Sequence, residues 1–350
     1  MFFSQLSILK KKSDTSNIVV DSFDCYINSL SINARDNISI SRTANNLGID
    51  FNVVKILFEE CEQIGILKKK YVLKCPECGY VMKSFETLSQ FEYQSCFCNR
   101  CEDEYDVDFS CIDVLYCFCE NDDSFNEGQR KHIRYNNIDT SKTVAPISDG
   151  FNELLKHGVV TNQDLYSPTE TDYKSLEEKY NNLFGDFNNT TEQGGALDNL
   201  IENIFQLCPY FKTTKKLKTD TNQIDVTIRN TVIPCNGILC YTGTIFYIEC
   251  KNENETPSGS YWSKLGSILS TSHLKFGIVA SIKPPPKTEE LLANSAWQAT
   301  KVLMLSLSSE DFKKLIFNKI NLLELLECKV MNIVTRTNKA LQELGLYKAE

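Results

Sequence analysis

Several features that mark common classes of protein are rare or missing in this sequence. Its 350 residues contain three histidines, His132, His157 and His273, whose positions show no spacing that would make them partners in one site. A glycine-rich P-loop is absent, so there is no reason to expect ATP binding on this chain. No apolar run approaches the roughly 20 residues that a membrane-spanning helix needs.

The amino terminus also lacks the order of a secretory signal. In MFFSQLSILKKKS the basic residues follow the apolar stretch, whereas in a signal peptide they precede it. We therefore expect a cytoplasmic protein. Fifteen cysteines in a long chain of this kind favour metal binding and buried thiols over a disulfide scaffold.

A net charge of −9 excludes a protein that is coated in positive charge. Lysines nevertheless cluster at residues 10–12, 68–70 and 212–218. A local basic patch can contact nucleic acid even when the total charge is negative. Each cluster taken alone is more often a solvated surface. The length predicts two or three domains.

Residues 1–74 have the order of elements of a winged helix-turn-helix. Two helical patterns occur before Gly48, which ends the second of them. Asp50 can cap a third helix by accepting its free N–H groups, and Gly65 stops that helix before the basic strand ILKKKYVLK. The alternative is a small helical subdomain that packs against the catalytic part of the chain or against a partner.

Residues 75–120 resemble a zinc ribbon. Cys75 and Cys78 form one Cys-x-x-Cys pair, Cys98 and Cys101 form a second pair, and nineteen residues separate the two pairs. Four thiolates give Zn²⁺ a closed structural site with no open position for catalysis. Three further cysteines leave the assignment of one ligand open: Cys96, Cys117 and Cys119. The ribbon is expected to stabilise a small domain and to help the winged helix grip DNA.

Residues 121–193 are polar and predict a linker with two short helices, FNELLKH and YKSLEEKYNNLF. From residue 194 the pattern becomes regular. A helix over residues 196–207 precedes three strands, and helices then alternate with strands. This order predicts an α/β (α+β) domain over residues 194–350, with a mixed sheet that carries helices on its faces.

Two of these strands end in charged residues. In IFYIECKNE, Glu249 and Lys251 are two residues apart and therefore point to the same side of a strand. In QIDVTI, Asp225 lies on the face opposite to Ile224 and Val226. Because a turn-rich stretch joins these strands, they can pair as neighbours. We then expect the three charged side chains to converge at one edge of the sheet.

These residue types suit the hydrolysis of a phosphodiester. Neighbouring carboxylates repel each other, and a divalent cation relieves that repulsion. Mg²⁺ prefers oxygen ligands, so Asp225 and Glu249 are its predicted ligands. The ion can bind a phosphate oxygen and lower the pKa of a bound water. The ammonium of Lys251 can hold that water and offset charge on the phosphate.

The preceding helix, GGALDNLIENIFQL, carries Asp198 and Glu202 one turn apart, and either could approach the site as an additional acid. Taken with TNQIDVTIRN, FYIECKNE and FGIVASI, this helix resembles the PD-(D/E)xK nuclease superfamily, most closely its Mrr-like restriction endonuclease branch. The resemblance covers about residues 194–335 and implies a restriction-endonuclease-like sheet flanked by helices.

The resemblance also implies roles for individual residues. Asp225, Glu249 and Lys251 match the catalytic positions. Asp198 occupies the position of the helix acid, where the family more often has Glu, and Glu202 is the weaker match. The family implies metal-dependent cleavage of DNA, commonly in restriction or in defence against foreign DNA.

Two other functions stay open. The protein could be a non-catalytic DNA-binding or regulatory protein that works through the winged helix and the ribbon. It could also be an RNA or DNA nuclease that stays silent until a partner protein of a defence system activates it. Each scissile bond needs one catalytic centre, so cutting both strands of a duplex favours a homodimer.

Overall fold

The protein has a mixed α/β architecture with several sheets, which confirms the predicted class at that level. Across the part of the chain that the structure describes, no helix is long and apolar enough to cross a membrane. The structure is a computed structural model, and the residues it describes are 3–12, 16–92, 94–119, 150–218, 223–231, 237–253, 255–286 and 288–335.

The chain divides into two compact units, residues 1–160 and 161–350. The predicted winged helix and ribbon lie in the first unit, and the predicted nuclease domain lies in the second. The predicted linker, 121–193, is shared between the units, and its residues 121–149 lie outside the described residues. The described part of the linker forms helices with buried apolar faces and is not an extended connection.

The elements of the first unit follow one another along the chain. Its described helices are α1 (Leu9–Lys12), α2 (Asn17–Ser29), α3 (Ile32–Arg35), α4 (Ile40–Leu47), α5 (Phe51–Gln63) and α6 (Phe151–Lys156). Its described strands are β1 (Leu67–Lys74), β2 (Val81–Phe85), β3 (Gln94–Cys98), β4 (Asp103–Val107) and β5 (Ile112–Phe118).

The helical part of the first unit follows the signals in its sequence. Gly48 closes α4 with a φ of 63°, a left-handed conformation that suits glycine. The Asp50 carboxylate accepts the N–H of Asn52 at 2.9 Å and caps α5, as predicted. The rings of Phe23 and Phe58 lie 5.6 Å apart, so α2 and α5 share one aromatic core.

The sheet of the first unit has the order β2-β1-β5, with both neighbours of β1 antiparallel to it. β1 and β5 pair from Leu67↔Phe118 to Leu73↔Ile112. β3 and β4 form a separate two-stranded sheet. The cysteine-rich segment is therefore inserted between two paired strands, and the domain boundary predicted after residue 74 separates strands that belong to one sheet.

The second unit continues with helices and strands that alternate after residue 245. Its described helices are α7 (Asn162–Leu165), α8 (Glu170–Asn182), α9 (Thr190–Gln206), α10 (Leu239–Thr242), α11 (Ser260–Thr271), α12 (Glu289–Thr300), α13 (Ser309–Ile316) and α14 (Leu322–Thr335). Its described strands are β6 (Phe211–Lys218), β7 (Gln223–Asn230), β8 (Ile245–Lys251), β9 (Phe276–Ser281) and β10 (Leu303–Leu307).

One five-stranded sheet organises the second unit, in the order β10-β9-β8-β7-β6. β6, β7 and β8 are antiparallel neighbours, whereas β8, β9 and β10 run parallel because α11 and α12 connect them. α9 packs against β6, β7 and β8, and α11 packs against β8 and β9. The predicted positions of these strands and of α11 are confirmed.

The start of α9 differs from the prediction. The helix begins at Thr190, six residues before the predicted residue 196, and the side chain of Asn189 caps it by accepting the N–H of Glu192 at 2.9 Å. Gly194 and Gly195 lie inside the helix. Two adjacent glycines weaken a helix, so they suggested a boundary, but the cap and the buried apolar stripe of α9 outweigh that cost.

A close contact between β9 and α11 leads to a test of the packing in the second unit. A Cβ placed on Gly277 would lie 2.7 Å from Cδ1 of Leu269 and 3.1 Å from Cδ2 of Leu265, and both leucines are buried. We expect Gly277→Ala to lower the free energy of unfolding by about 1–3 kcal/mol through overpacking. Urea denaturation of the full chain measures the change.

Gly194→Ala is the matched control, because a Cβ there meets nothing within 4 Å. Since alanine favours a helix over glycine, this variant should gain about 0.5–1 kcal/mol. Equal loss of stability in both variants would contradict the packing of α11 on β9.

Candidate active site and metal centre

The end of β8 carries two of the predicted site residues on one side of the strand. β8 is the middle strand of the sheet, with β7 antiparallel on one side and β9 parallel on the other. Glu249 is only 4% exposed, and Lys251 is partly buried. The Lys251 Nζ lies 2.9 Å from Oε1 of Glu249, so the two side chains form a close ion pair that is largely shielded from water.

β7 brings Asp225 to the same place. The β7–β8 ladder ends where Val226 pairs with Ile248, and Asp225 is the next residue beyond that pair. Its Oδ2 accepts the backbone N–H of Cys250 at 2.9 Å and lies 3.9 Å from the Nζ of Lys251. A side-chain hydrogen bond thus extends the contact of the two strands, and the three predicted residues meet at one point.

Burial and charge set the protonation of these groups. Burial raises the pKa of Asp225, and the negative charge of Glu249 also raises it. The N–H of Cys250 and the ammonium of Lys251 act in the opposite direction and lower this pKa. Burial opposes the charge on Lys251, but the charge of Glu249 and its hydrogen bond raise the pKa of that amine above its ordinary value. Lys251 is therefore an ammonium at neutral pH, able to donate hydrogen bonds but not to accept a proton.

The donor set fits a hard divalent cation held by two carboxylates. Asp225 and Glu249 offer oxygens, which Mg²⁺ prefers, and their mutual repulsion is what a cation relieves. Within the described ranges, a group of three or more His, Cys, Asp or Glu side chains with ligand atoms within 4.8 Å of one another occurs only at the cysteine cluster. Asp198 therefore does not join the two carboxylates as a third close ligand.

α9 brings Asp198 towards the site and leaves Glu202 outside it. Asp198 is 6% exposed and shares a hydrogen bond with the thiol of Cys250, and burial raises its pKa to about 6. Glu202 instead pairs with Lys215 on β6 at 2.8 Å. Since Cys250 and Glu249 are neighbours on one strand, Asp198 approaches from the face opposite to that of Glu249.

Two residues of α11 complete the surroundings of the site, and Lys264 was not singled out from the sequence. Its Nζ lies 3.2 Å from Oε1 of Glu249. The Nζ of Lys251 lies 4.7 Å from the ring centre of Tyr261, whose hydroxyl donates to Glu253 at 2.6 Å. Tyr261 packs against the core of the second unit and also against Lys251. Tyr261 and Lys264 are three residues apart on a helix and therefore lie on the same side of it, just after the Glu-x-Lys strand. This spacing is the feature of the sequence that could have identified Lys264.

The second site is a cluster of four cysteines in the first unit. The Sγ atoms of Cys75, Cys78, Cys98 and Cys101 all lie within 4.8 Å of one another. The Cys75–Cys101 distance is 3.8 Å and the Cys78–Cys98 distance is 3.7 Å. Sulfurs about 2.3 Å from a tetrahedral zinc ion would lie about 3.8 Å apart. The cluster can therefore bind a metal ion such as Zn²⁺.

The two Cys-x-x-Cys turns have the same backbone geometry. The N–H of Gly79 donates to the carbonyl of Cys75 at 2.9 Å, and the N–H of Glu102 donates to that of Cys98 at 2.8 Å. Gly79 and Glu102 both have left-handed backbones, with φ of 68° and 57°. Burial opposes ionisation of Cys98, but backbone N–H groups of its turn lower the pKa of the thiol to about 7.

The other cysteines near the ribbon do not join the cluster. Cys96, Cys117 and Cys119 are described, and none belongs to the group of converging sulfurs. The Sγ of Cys117 lies 3.1 Å from an oxygen of Asp36 and donates to it. The four predicted cysteines thus remain the ligand set that the geometry favours.

Charge limits what the inserted ribbon can contact. Residues 75–111 contain eight acidic and two basic residues, a net charge of −6. The lysines of β1 are also neutralised in part: Lys68 pairs with Glu86 at 2.6 Å, and Lys74 pairs with Asp113. These charges do not favour phosphate contacts on the ribbon, so a structural role fits it better than a grip on DNA.

The described histidines lie apart from both sites. The ring of His157 packs 5.1 Å from that of Phe51, and His273 is exposed in the turn before β9. His132 lies outside the described residues.

Comparison with protein-family models, with curated proteins and with solved structures found no match to this chain. Its function is therefore inferred from the geometry of its own residues.

The cysteine cluster predicts one structural Zn²⁺ per chain. Cys98→Ser should lose the ion and unfold the ribbon, because three thiolates hold Zn²⁺ far less well than four. Cys96→Ser, the control, should keep about one Zn²⁺ per chain. Elemental analysis of the purified proteins measures the metal content. Equal zinc in both variants would contradict the ligand set.

The raised pKa of Asp198 predicts a pH-dependent stability. The unfolded carboxyl ionises near pH 4, whereas the folded one stays protonated until about pH 6, so stability falls as the pH rises between these values. Asp198→Asn removes this penalty. The variant should be more stable than the wild type by about 1–3 kcal/mol above pH 7 and equal to it near pH 4.

Urea denaturation at several pH values measures this difference. Glu202→Gln is the control on the same helix; it breaks the pair with Lys215 and should bring no gain in stability. A difference in stability between Asp198→Asn and the wild type that does not change with pH would contradict the raised pKa of the buried Asp198 carboxyl.

Proposed function

We propose that this protein is a Mg²⁺-dependent nuclease that hydrolyses phosphodiester bonds, with DNA as its main substrate. The observation that carries the proposal is the junction of β7 and β8, where two largely buried carboxylates, Asp225 and Glu249, share the ammonium of Lys251. The second ammonium near these carboxylates, that of Lys264, is half-exposed and contacts Glu249 only. Two neighbouring carboxylates that share the enclosed ammonium of Lys251 suit a site that takes up a divalent cation.

The topology of the second unit also supports the proposal of a nuclease. Three antiparallel strands are followed by two parallel strands joined through helices, and α9 precedes them all. This order is compatible with the restriction-endonuclease-like sheet that the resemblance to Mrr-like PD-(D/E)xK nucleases implies. The matched residues lie where the middle strands of the sheet end.

The residues divide the work of hydrolysis. Asp225 and Glu249 would hold Mg²⁺, which when bound polarises the phosphate and lowers the pKa of a bound water. Lys251 is protonated, so it orients the attacking water and offsets the charge that develops on the phosphate. The ring of Tyr261 fixes the position of the Lys251 ammonium. Asp198 lies on the opposite face of β8 and interacts electrostatically with Asp225, so it would add to the negative charge that attracts the ion.

The wider role rests on the resemblance alone. We propose a cytoplasmic protein that acts in restriction or in defence against foreign DNA, as a homodimer where both strands are cut. A nuclease that needs a partner protein, or that cuts RNA, would use the same residues. A purely DNA-binding role is less well supported, because the ribbon is acidic and lysines of β1 are ion-paired.

Nuclease activity is tested with supercoiled plasmid and with single-stranded RNA, each in Mg²⁺ and in EDTA. We expect cleavage of DNA in Mg²⁺ only. Lys251→Gln should lower the rate by about 100-fold or more, because the charge on the phosphate is then uncompensated. Gel electrophoresis over a time course measures the rate.

Lys275→Gln is the matched control: it changes an exposed lysine just before β9, at the end of that strand away from the site. It should cut at the wild-type rate. Thermal denaturation of each variant shows whether it is folded. Equal cleavage by folded Lys251→Gln and by the wild type would remove Lys251 from the mechanism.

A further inference from the structure

One carboxylate oxygen in the second unit has two ammonium partners. Oε1 of Glu249 lies 2.9 Å from the Nζ of Lys251 and 3.2 Å from the Nζ of Lys264. The glutamate side chain is 5% exposed, so it cannot turn towards water to satisfy its charge. Both lysines therefore contribute to stabilising a charge that is buried at the end of β8.

The two lysines differ in how firmly they are held. Lys251 is 18% exposed and is enclosed by Asp225 and the ring of Tyr261 as well as by Glu249. Lys264 is 46% exposed. A long side chain that is half in water can leave its partner at little cost, since exposed pairs contribute little to stability. Lys264 is the partner that can leave.

Oε1 of Glu249 is also an oxygen that the proposed function gives to a divalent cation. An ammonium and a metal ion cannot both bind this carboxylate oxygen at close range, because their positive charges repel each other. Once displaced, Lys264 carries a free positive charge at the mouth of the site. A phosphate of the substrate is the anion that reaches this place.

We propose that Lys264 leaves Glu249 and binds a substrate phosphate when a divalent cation binds at this site. This exchange of partners links metal binding to nucleic-acid binding. The inference rests on the proposed function of this site. In the absence of metal, Lys264 shields Glu249 and makes no contact with nucleic acid. In its presence, Lys264 becomes a positioning residue for the phosphate backbone.

The first arm of the test measures metal affinity without nucleic acid. Mn²⁺ is the probe, followed by electron paramagnetic resonance on zinc-loaded protein. Lys264→Gln removes a competitor for Glu249, so it should tighten Mn²⁺ binding by about twofold to fivefold. Lys264→Arg keeps the charge and should bind as the wild type does. Glu249→Gln should lose this binding and thereby identifies the site.

The second arm measures affinity for a fluorescent duplex DNA by anisotropy, in Ca²⁺ and in EDTA. In Ca²⁺ the Lys264→Gln variant should bind DNA about fivefold more weakly, as expected for the loss of one ion pair that is half-exposed to water. In EDTA the variant and the wild type should bind equally. Lys275→Gln should match the wild type under both conditions.

The outcomes separate this inference from the proposed function. Wild-type protein that binds Mn²⁺ at Glu249 while Lys264→Gln changes neither affinity would overturn the exchange alone. Wild-type protein that binds Mn²⁺ and shows the exchange, but cuts no nucleic acid, would overturn only the nuclease. Loss of DNA affinity in EDTA as well as in Ca²⁺ would show that Lys264 contacts DNA independently of the metal, against the exchange. Absence of Mn²⁺ binding at Glu249 would overturn both.

Discussion

The candidate active site depends on one electrostatic problem, the burial of the Glu249 carboxylate at the end of β8. A carboxylate removed from water costs several kcal/mol unless cations or hydrogen bonds replace its hydration. Lys251 and Lys264 supply that compensation. Because both lysines and Asp225 are charged as well, the free energy of burying the Glu249 carboxylate depends on the whole network of charges and not on a single ion pair.

The order of the sheet explains why these groups meet. β8 is the strand where antiparallel pairing changes to parallel pairing, so its end is bordered by β7, which reaches this end of the sheet with Asp225, and by the start of α11. Successive residues of β8 then face different helices. Glu249 and Lys251 meet α11, whereas Cys250 meets Asp198 on α9. A strand at this position can gather polar groups from elements far apart in sequence without any of them leaving its own regular structure.

Local physics in the sequence predicted much of this arrangement. Caps and glycines marked α4 and α5, and the two-residue spacing of Glu249 and Lys251 placed both on one side of a strand. The convergence of Asp225 with Glu249 and Lys251 was predicted as well, but other contacts between distant segments were not. Nothing in the ribbon sequence shows that β1 pairs with β5, since strand pairing depends on partners and not on local pattern. Lys264 was missed for the same reason: a lysine on an amphipathic helix looks like a solvated residue until the facing carboxylate is known.

The charges of the first unit bear on its predicted contact with DNA. In the predicted winged helix-turn-helix, α5 would be the helix that reads DNA, yet it exposes Val53 and Ile56, and its Lys55 is paired with Glu59 at 3.4 Å. A helix that reads DNA needs donors and net positive charge on its outer face, because phosphate repulsion acts before any base is read. Apolar residues beside paired charges suit contact with protein better than contact with DNA. Around β8 the lysines, Lys251 and Lys264, are paired with carboxylates that the proposed function gives to a divalent cation. If the proposal holds, binding of that ion frees positive charge for a phosphate in the second unit and not in the first.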